Sequence, residues 1–378
     1  MLYFDYSATT PVEDEVINVY NKVVKDYWAN PNSIHSLGLQ SHKLMDEAKK
    51  QVIELLGLKD KEVVFTSSAS EANNLAIKGA VHNYKNRSKH VITTLLEHSS
   101  VSETMHFLEK DGFIVHYVKI DSDGMIDIDD LDFLLEKYQP IIFSMCLVNS
   151  EVGILQDIER VKKVLKKYPL CFLHVDATQA IGKIPVSLDD IDLCTFSAHK
   201  MYGLKGVACL IKNKKIKLTP LIHGGKSQTI YRASTPDVAH MVSMVKTLKL
   251  ALKDLDKKYD SVTKLQQKLL LNLKKCKDIT INSNSNCIPH IINFSLYKIK
   301  SETFLHALEQ KEIYISTKTA CSSDKEESAT LKAMGKDKDL TTRSLRISLS
   351  HKTTLEDIDI FTKAFNECLD ELNFMKGE

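Results

Sequence analysis

Short runs rich in β-branched and aromatic residues alternate with helical segments between residues 62 and 211. We predict strands at seven of these runs: 62–66, 90–94, 113–120, 140–148, 171–176, 192–197 and 206–211. Strands joined by crossover helices pair in parallel, and the helices then cover both faces of the sheet. The alternation therefore predicts an α/β domain with a largely parallel sheet.

The chain, at 378 residues, is longer than a single hydrophobic core usually supports, so we expect two domains of unequal size. A stretch rich in Lys and Leu, from Met244 to Leu273, predicts one long helix that connects them. The short strands and helices that follow predict a compact α+β domain. We place the large domain at residues 12–250 and the small domain at residues 1–11 together with 251–378.

The charge balance argues against attraction to nucleic acid, because 51 Lys and Arg residues are matched by 49 Asp and Glu residues. The N-terminal segment lacks the basic and apolar regions of a signal peptide, and no window of 18 or more residues is apolar throughout. We therefore expect a cytoplasmic protein with no direct nucleic-acid partner and no membrane partner.

Eight cysteines are present, and none of them forms a Cys-x-x-Cys pair. Cys146, Cys171, Cys194 and Cys209 lie in apolar runs, which predicts small buried side chains without disulfides or metal ligation. Cys321 differs because its neighbours are polar, from Thr317 to Ser328, so we predict that it lies on an exposed loop. No metal site is expected.

One pair of segments indicates cofactor chemistry. A predicted strand ends at Asp176, and Ser197-Ala-His199-Lys200 ends a later one. Ligands of α/β sheets bind at the carboxyl ends of strands, where a lysine can form a Schiff base with an aldehyde and an aspartate can protonate a pyridine. Alone, Lys200 is better explained as a solvated loop lysine and Asp176 as a helix cap. Together they favour pyridoxal 5'-phosphate (PLP), with Ser197 and His199 as phosphate ligands.

Two further segments fit the same site. Small and hydroxylated residues around Ala69 and Ser70 precede a helix, where backbone N–H groups can bind a phosphate, although the same residues also fit a plain capping box. His98 follows another predicted strand end, where its ring can stack on a planar cofactor and transfer protons. A lone histidine at such a position is more often structural.

Several motifs, in order along the chain, resemble one family from end to end. They are Tyr3-Phe-Asp-Tyr-Ser-Ala-Thr-Thr-Pro11, Asn30-Pro-Asn-Ser-Ile-His35, Asn74-Leu-Ala-Ile-Lys-Gly79, His174-Val-Asp-Ala-Thr-Gln179, Ser197-Ala-His-Lys200 and Thr319-Ala-Cys-Ser322. The chain resembles the NifS/IscS-like cysteine desulfurases, which are PLP-dependent enzymes of the class V aminotransferase family. The resemblance implies PLP-dependent transferase fold type I, with a mostly parallel seven-stranded sheet in the large domain and a smaller α+β domain that carries the catalytic cysteine loop.

The resemblance also implies a role for each matching residue. Lys200 corresponds to the Schiff-base lysine, Cys321 to the catalytic thiol, and His98 to a stacking and proton-transferring residue. The other implied cofactor ligands are Asp176 for the pyridine nitrogen, Gln179 for the phenolic oxygen, and Ala69, Ser70, Ser197 and His199 for the phosphate. Arg346 corresponds to the arginine that binds the substrate carboxylate. Thr235 corresponds to a residue that contacts the PLP phosphate of a neighbouring subunit, which implies a homodimer.

The chain departs from the family pattern at three places. Where relatives have two asparagines, it has Asn149 followed by Ser150, so either side chain is the candidate for the contact with the cofactor's ring oxygen, and Asn149 is also a candidate for substrate binding. The segment before Thr235 reads Arg-Ala-Ser. Lys318 stands where a glycine is frequent, and we hypothesise that Lys318 and Lys325 lower the pKa of the Cys321 thiol.

The implied reaction converts L-cysteine to L-alanine and leaves the sulfur on Cys321 as a persulfide. A sulfur-acceptor protein, either an iron–sulfur scaffold or a tRNA sulfurtransferase, would then receive it. A class V aminotransferase or a selenocysteine lyase would share Lys200 and Asp176, but transamination needs no second nucleophile such as Cys321. A sulfur carrier or scaffold without catalytic activity is an alternative of another kind.

Overall fold

The structure is a computed structural model that describes residues 1–317 and 327–374. The strands in chain order are β1 (Leu2–Tyr3), β2 (Lys61–Thr66), β3 (His90–Thr93), β4 (Ile114–Tyr117), β5 (Ile142–Cys146), β6 (Phe172–Asp176), β7 (Leu193–Ser197), β8 (Ala208–Asn213), β9 (Ile279–Ile281), β10 (Ile291–Leu296), β11 (Ile313–Tyr314) and β12 (Ser344–Ser348).

The helices in chain order are α1 (Asp14–Asp26), α2 (Ser36–Leu55), α3 (Ala69–Tyr84), α4 (Ser99–Lys110), α5 (Ile128–Tyr138), α6 (Ile158–Leu165), α7 (Val238–Leu252), α8 (Leu255–Leu273), α9 (Ser301–Glu309), α10 (Ala329–Ala333), α11 (Lys338–Thr342) and α12 (Leu355–Phe374). A short 3₁₀ turn, Ala198–Lys200, follows β7. No helix in the described ranges is both long enough and apolar enough to cross a membrane.

A seven-stranded sheet forms the centre of the molecule, with the order β2-β8-β7-β6-β5-β3-β4. Its strands are parallel except for β8, which runs antiparallel to both neighbours. Every residue of β5 and of β7 is buried, as expected for strands that helices cover on both faces. The predicted mostly parallel α/β sheet is confirmed.

The strand directions bring five strand ends together. Because β8 reverses direction between β7 and β2, strand β2 points the same way as β3, β5, β6 and β7. The loops that follow these five strands therefore leave the sheet at one edge. Residues from the N-terminal segment and from β12 approach this edge, which is the place where an α/β sheet binds its ligands.

A second, smaller set of strands lies beyond residue 278. Strands β12, β10 and β9 form an antiparallel sheet, and β1 pairs in parallel with β11. Phe4 packs with Phe361 in a separate apolar core that also takes side chains from α8, α9 and α12. The N-terminal residues thus pack with the C-terminal part of the chain, while the division into domains at residues 12 and 250 stays a prediction.

The predicted long helix from Met244 to Leu273 is wrong, because two helices occupy this region. Helix α7 begins earlier, at Val238. The helical conformation is interrupted at Lys253 and Asp254, and Asp254 has a left-handed backbone with a φ of 52°. Helix α7 packs against α1 and α2, whereas α8 packs against α12. Leucines recur at helical spacing on both sides of the break, so periodicity alone does not reveal it.

Candidate active site

A cavity of about 210 Å³ lies at the sheet edge where the five strands end. Ten of the thirteen predicted site residues line it: Ala69, Ser70, His98, Ser150, Asp176, Gln179, Ser197, His199, Lys200 and Arg346. Each comes from a strand-end loop or the first turn of the following helix, apart from Arg346 on β12. Residues that are more than 270 positions apart in sequence therefore meet in one small volume.

Lys200 is placed by the 3₁₀ turn that follows β7. Its Nζ atom donates hydrogen bonds to the backbone oxygens of Ser7, at 2.6 Å, and Ala8, at 2.8 Å. The N-terminal segment therefore forms one wall of the cavity and orients the lysine amine. The predicted position of Lys200 beside Asp176 is consistent with this arrangement, because β6 and β7 are neighbouring strands.

Asp176 is the last residue of β6, and its carboxylate is held by two donors. Oδ2 accepts from Nδ2 of Asn73 at 2.8 Å, and Oδ1 accepts from the backbone N–H of Thr178 at 3.0 Å. Asn73 is itself oriented, because its side-chain oxygen accepts from the Thr195 hydroxyl. The side chain is 6% exposed, so this bracing keeps one carboxylate in a single orientation inside the cavity.

The N-terminus of α3 fits both interpretations of its sequence, as a helix cap and as a phosphate-binding turn. Ser68 caps the helix by accepting from the backbone N–H of Glu71 at 3.2 Å, and the Glu71 carboxylate accepts from the N–H of Ser67 at 2.8 Å. This is a variant of the capping box in which the carboxylate reaches the residue before the cap, yet Ala69 and Ser70 still line the cavity with first-turn N–H groups that have no partner within a helix. Such a helix start favours a bound anion.

Two hydroxyls in the cavity wall are available to a ligand. Oγ of Ser197 and Oγ1 of Thr178 are buried and have no hydrogen-bond partner within residues 1–317 and 327–374. A buried hydroxyl without a partner is costly, typically by about 1–3 kcal/mol, and a phosphate oxygen would remove that cost. Together with the start of α3, these groups fit the phosphate of PLP.

Two histidines, His98 and His199, line the cavity and have different hydrogen-bond partners. Nδ1 of His98 accepts from the backbone N–H of Ser100 at 3.1 Å, so the neutral ring carries its proton on Nε2. Burial, and then the charges of Lys200 and other lysines, lower the pKa of His199 to about 4. Nδ1 of His199 lies 3.2 Å from the hydroxyl of Thr9.

Arg346 is almost fully buried, and two of its nitrogens are occupied. Nη2 forms an ion pair with Oδ1 of Asp5 at 2.7 Å, and Nη1 donates to the backbone oxygen of Ser150 at 2.8 Å. Nε is buried without a partner among the described residues. A fixed guanidinium with a donor to spare at the cavity wall is suited to a small carboxylate.

A family model described as Aminotransferase class-V matches residues 2–361. The chain belongs to the class-V aminotransferase family. It is 37% identical over 376 residues to "Cysteine desulfurase IscS" of Dictyoglomus turgidum, covering 98% of this chain and 95% of that protein. It is 38% identical to "NifS/IcsS protein homolog" of Lactobacillus delbrueckii subsp. bulgaricus, covering 97% of each. A solved structure named "NIFS-LIKE PROTEIN" superposes with a TM-score of 0.91 and 33% identity, covering 98% of this chain and 99% of that one.

The predicted family and fold type are thereby confirmed, and PLP is the cofactor on which this family depends. The residues present fit it: an amine, a braced carboxylate and an anion-binding helix start line one cavity of this family member. Among the described residues, no group of three or more His, Cys, Asp or Glu side chains is arranged to hold a metal ion.

Two of the predicted site residues that the structure describes, Asn149 and Thr235, do not line the cavity of this class-V family member. The side-chain oxygen of Asn149 accepts from the backbone N–H groups of Glu151, at 2.9 Å, and Val152, at 2.8 Å, and its nitrogen donates to Leu96 at 3.0 Å, so its amide shapes the turn after β5. Ser150, by contrast, lines the cavity. Thr235 is exposed elsewhere on the surface, and Cys321 lies outside the described residues.

Sequence reasoning also missed residues that support the site. Asp5 and Ser7 lie in the N-terminal motif that was matched to the family, so the sequence indicated that they lie near the site. Nothing in the sequence indicated their contacts with Arg346 and Lys200. Asn73 follows the predicted phosphate-binding turn and braces Asp176. Lys183 lies seven residues after Asp176, and no feature of the sequence predicted its burial.

Proposed function

We propose that the chain is a PLP-dependent cysteine desulfurase, which converts L-cysteine to L-alanine and retains the sulfur on Cys321. The observation that carries this proposal is that Lys200, Asp176 and Arg346 line a single cavity of about 210 Å³. An amine, an acid for a pyridine nitrogen and an arginine for a carboxylate are the groups that amino-acid chemistry on PLP needs. The relatives named as cysteine desulfurases support the choice of substrate.

When bound, PLP supplies an aldehyde that captures amines and a protonated pyridine ring that withdraws electrons from the substrate's α-carbon. Asp176 holds the proton on the pyridine nitrogen. Nζ of Lys200 would hold the cofactor, and its free amine would take the proton from the α-carbon of the substrate. Nε2 of His98 is a proton donor at the same cavity, and Arg346 orients the substrate through its carboxylate.

The sulfur step belongs to Cys321. Its Sγ forms a bond with the substrate sulfur while the bond between that sulfur and the substrate β-carbon breaks. The electron pair of the broken bond stays with the carbon skeleton, which takes up a proton and leaves as alanine. The thiol of Cys321 becomes a persulfide, so the atoms of one cysteine and one thiol are all accounted for.

The other cysteines are poor candidates for this step. Burial raises the pKa of all seven thiols that the structure describes, and at Cys287 and Cys368 the pKa is about 11. Cys146 lines the cavity, but its thiol donates to the backbone oxygen of Leu96. A thiolate is the reactive form, so none of these seven is prepared to attack sulfur at neutral pH.

The described residues on either side of the Cys321 segment contact Arg346 and the turn after β5. Ser316 exchanges two backbone hydrogen bonds with Arg346, at 3.1 and 2.6 Å, and the hydroxyl of Thr330 accepts from Asn149 at 3.3 Å. Cys321 is five residues from Ser316, and five extended residues span at most about 17 Å. The chain that leads to Cys321 thus leaves the described residues next to Arg346, which supports the proposal that Cys321 acts on a substrate held there.

The test supplies L-cysteine to the PLP-loaded protein with a thiol reductant and measures alanine and sulfide. We expect both products in equal amounts from the parent chain, and a loss of at least about 100-fold for Cys321→Ser, because the nucleophile of a covalent step is removed. Cys276→Ser is the matched control, since Cys276 is half-buried outside the cavity, and it should retain the parental rates.

The outcomes separate the alternatives. An unchanged rate of sulfide release in Cys321→Ser would remove Cys321 from the mechanism. Alanine formed only from pyruvate and an amino donor would favour an aminotransferase, and a strong preference for selenocysteine over cysteine would favour a selenocysteine lyase. A chain that binds no PLP and releases neither product would be a sulfur carrier or scaffold.

We further propose that the sulfur passes from Cys321 to an acceptor protein, either an iron–sulfur scaffold or a tRNA sulfurtransferase. This destination, like the cytoplasmic location, rests on the resemblance and on the sequence around Cys321. The polar residues around Cys321 fit a surface segment that receives sulfur from a substrate and passes it to a partner.

We also propose that the chain acts as a homodimer. Two large apolar side chains are exposed in the segment between α1 and α2, Trp28 at 73% and Ile34 at 93% exposure. This segment contacts the loop before Thr235, because Nδ2 of Asn32 donates to the hydroxyl of Ser227 at 2.7 Å. An exposed apolar segment in contact with that loop supports an interface with a second copy, in which Thr235 reaches the partner's phosphate site.

A further inference from the structure

Lys183 is a buried lysine beside the cavity that the proposed reaction does not use. It lies in the turn that follows β6, and it is 8% exposed. Its Nζ atom donates to a neutral group, the side-chain oxygen of Gln179, one helical turn earlier. A buried amine that is paired with an amide in place of a carboxylate calls for an explanation, because burying a lysine is costly.

The oxygen and the nitrogen of the Gln179 side-chain amide have different partners. Its oxygen accepts from Lys183, and its nitrogen donates to the backbone oxygen of Ser7 at 2.9 Å. That same Ser7 oxygen accepts from Nζ of Lys200. A carbonyl oxygen can only accept, so Ser7 requires the nitrogen end of the amide, and Lys183 satisfies the oxygen end. The second N–H of the amide is then left for the cavity that Gln179 lines.

The contact does not depend on the charge of Lys183. Burial, and then the positive charges of Lys200 and Arg346, lower the pKa of the Lys183 ammonium well below its ordinary value. Both the ammonium and the neutral amine have N–H donors, so either form can hold the oxygen of Gln179. The titratable and charged groups that interact with Lys183 are Lys200, Arg346, His199 and the buried His290.

We propose that Lys183 is a positioning residue that acts through Gln179: it holds the amide oxygen, so that the amide nitrogen presents a donor to the phenolic oxygen of PLP. This rests on the proposed role of Gln179 as a cofactor ligand. Gln179 is 5% exposed, and without Lys183 its amide oxygen has no donor among the residues that the structure describes. Rotation of the amide would relieve that, but it would turn the oxygen towards the cavity and replace a donor by an acceptor.

The test replaces Lys183 by methionine, which keeps the length of the side chain and removes its donors. PLP is titrated into the cofactor-free protein, and the visible absorption band of the bound cofactor is then followed against pH. We expect Lys183→Met to bind PLP about threefold to tenfold more weakly, because one hydrogen bond is lost. We also expect the pH midpoint of the change in this absorption band to rise. The phenolic oxygen loses a hydrogen-bond donor, so it holds the proton that it shares with the Schiff-base nitrogen more strongly.

Lys162→Met is the matched control. Lys162 is also a buried lysine, on α6, but it pairs with Glu159 and the backbone oxygen of Ser187 and does not line the cavity. It should change neither the PLP affinity nor the midpoint. The same measurements in a Gln179→Met background test the route: if Lys183 acts through Gln179, adding Lys183→Met there changes neither quantity further.

Unchanged PLP affinity and midpoint in Lys183→Met would overturn the proposal, and so would an equal effect of Lys183→Met with and without Gln179. If circular dichroism shows that Lys183→Met does not fold, Gln179→Glu tests the same contact, since a carboxylate has no N–H to present; an unchanged midpoint in that variant overturns the proposal as well. A parent chain without a visible cofactor band would instead contradict the cofactor assignment, which is a separate failure.

Discussion

Burial sets the protonation state of several single residues. His174 and His290 are both buried, and burial lowers the pKa of His174 to about 4 and that of His290 to about 3. The carboxylic acid of Glu97 is affected in the opposite direction, because burial raises its pKa to about 8. Histidines held neutral and a carboxyl held protonated both reduce the number of charges that must be buried in the folded protein.

These shifts predict a dependence of stability on pH. The unfolded chain protonates histidine near pH 6.5, whereas folded His290 stays neutral until about pH 3, so protons favour the unfolded state between these values. The stabilising effect of a neutral His290 is complete above pH 6.5 and is lost as the pH falls. We expect His290→Gln to reduce the slope of unfolding free energy against pH, from 6.5 to 4.5, by up to about 1.4 kcal/mol per pH unit.

The measurement is urea unfolding at several pH values for the parent chain and the variant. Glu97 contributes to the slope of unfolding free energy against pH with the opposite sign, because its pKa is raised. The test therefore compares the slope of the parent chain with that of His290→Gln. Exposed His106 provides the control, and His106→Gln should leave the slope as it is. Equal slopes for the parent and His290→Gln would show that His290 is not held neutral.

At the scale of secondary-structure elements, the break between α7 and α8 has the largest consequence. It lets α7 pack against α1 and α2 and lets α8 turn towards α12. The residue that makes the turn is Asp254, with a φ of 52°. Left-handed backbone costs a non-glycine residue roughly 1 kcal/mol, and it costs a β-branched residue more.

Substitutions at this break should therefore have opposite signs. We expect Asp254→Gly to raise the free energy of unfolding by up to about 1 kcal/mol and Asp254→Val to lower it by about 1 kcal/mol or more. The ion pair of Asp254 with Lys257 is exposed and contributes little. Asp256, two residues later in the first turn of α8, is the control, because glycine there should destabilise. A destabilising Asp254→Gly would contradict the conformational argument.

At the scale of the whole molecule, the proposed dimer predicts complementation between two inactive chains. A Lys200→Ala chain lacks its own lysine, and a Thr235→Glu chain would place a negative charge at its partner's phosphate site. When the two are combined, one site of the heterodimer has both Lys200 and Thr235 intact. We expect the purified heterodimer to regain about half of the parental activity, while each parent homodimer stays nearly inactive.

The control combines the Lys200→Ala chain with a chain that carries both substitutions, since this heterodimer has no intact lysine and should stay inactive. Sedimentation of the parent chain should give the mass of a dimer. A monomer with full activity, or a mixed heterodimer without recovery, would refute the assignment of Thr235 to the partner's site.

Much of the candidate site follows from local sequence. Asp176 and Lys200 could be placed together because each follows a strand of an alternating α/β pattern, and neighbouring parallel strands end at one edge. Ala69, Ser70 and His98 could be added for the same reason. The role of Asn149 as a cofactor ligand was less well determined, because the neighbouring Ser150 fits the same pattern. A shift of one residue along the turn decides which side chain faces the cavity.

Periodicity, turn residues and motif spacing thus determined the α/β class, the sheet strands and the residues at the strand ends, because these features depend on neighbours along the chain. Tertiary structure alone decided the ion pair of Arg346 with Asp5, 341 residues apart, the contact of Lys200 with Ser7, and the bend at Asp254. It also decided the burial of Lys183, although its partner Gln179 is only four residues away. Long-range packing sets the surroundings of a side chain, and it leaves no periodic trace in the residues that pack.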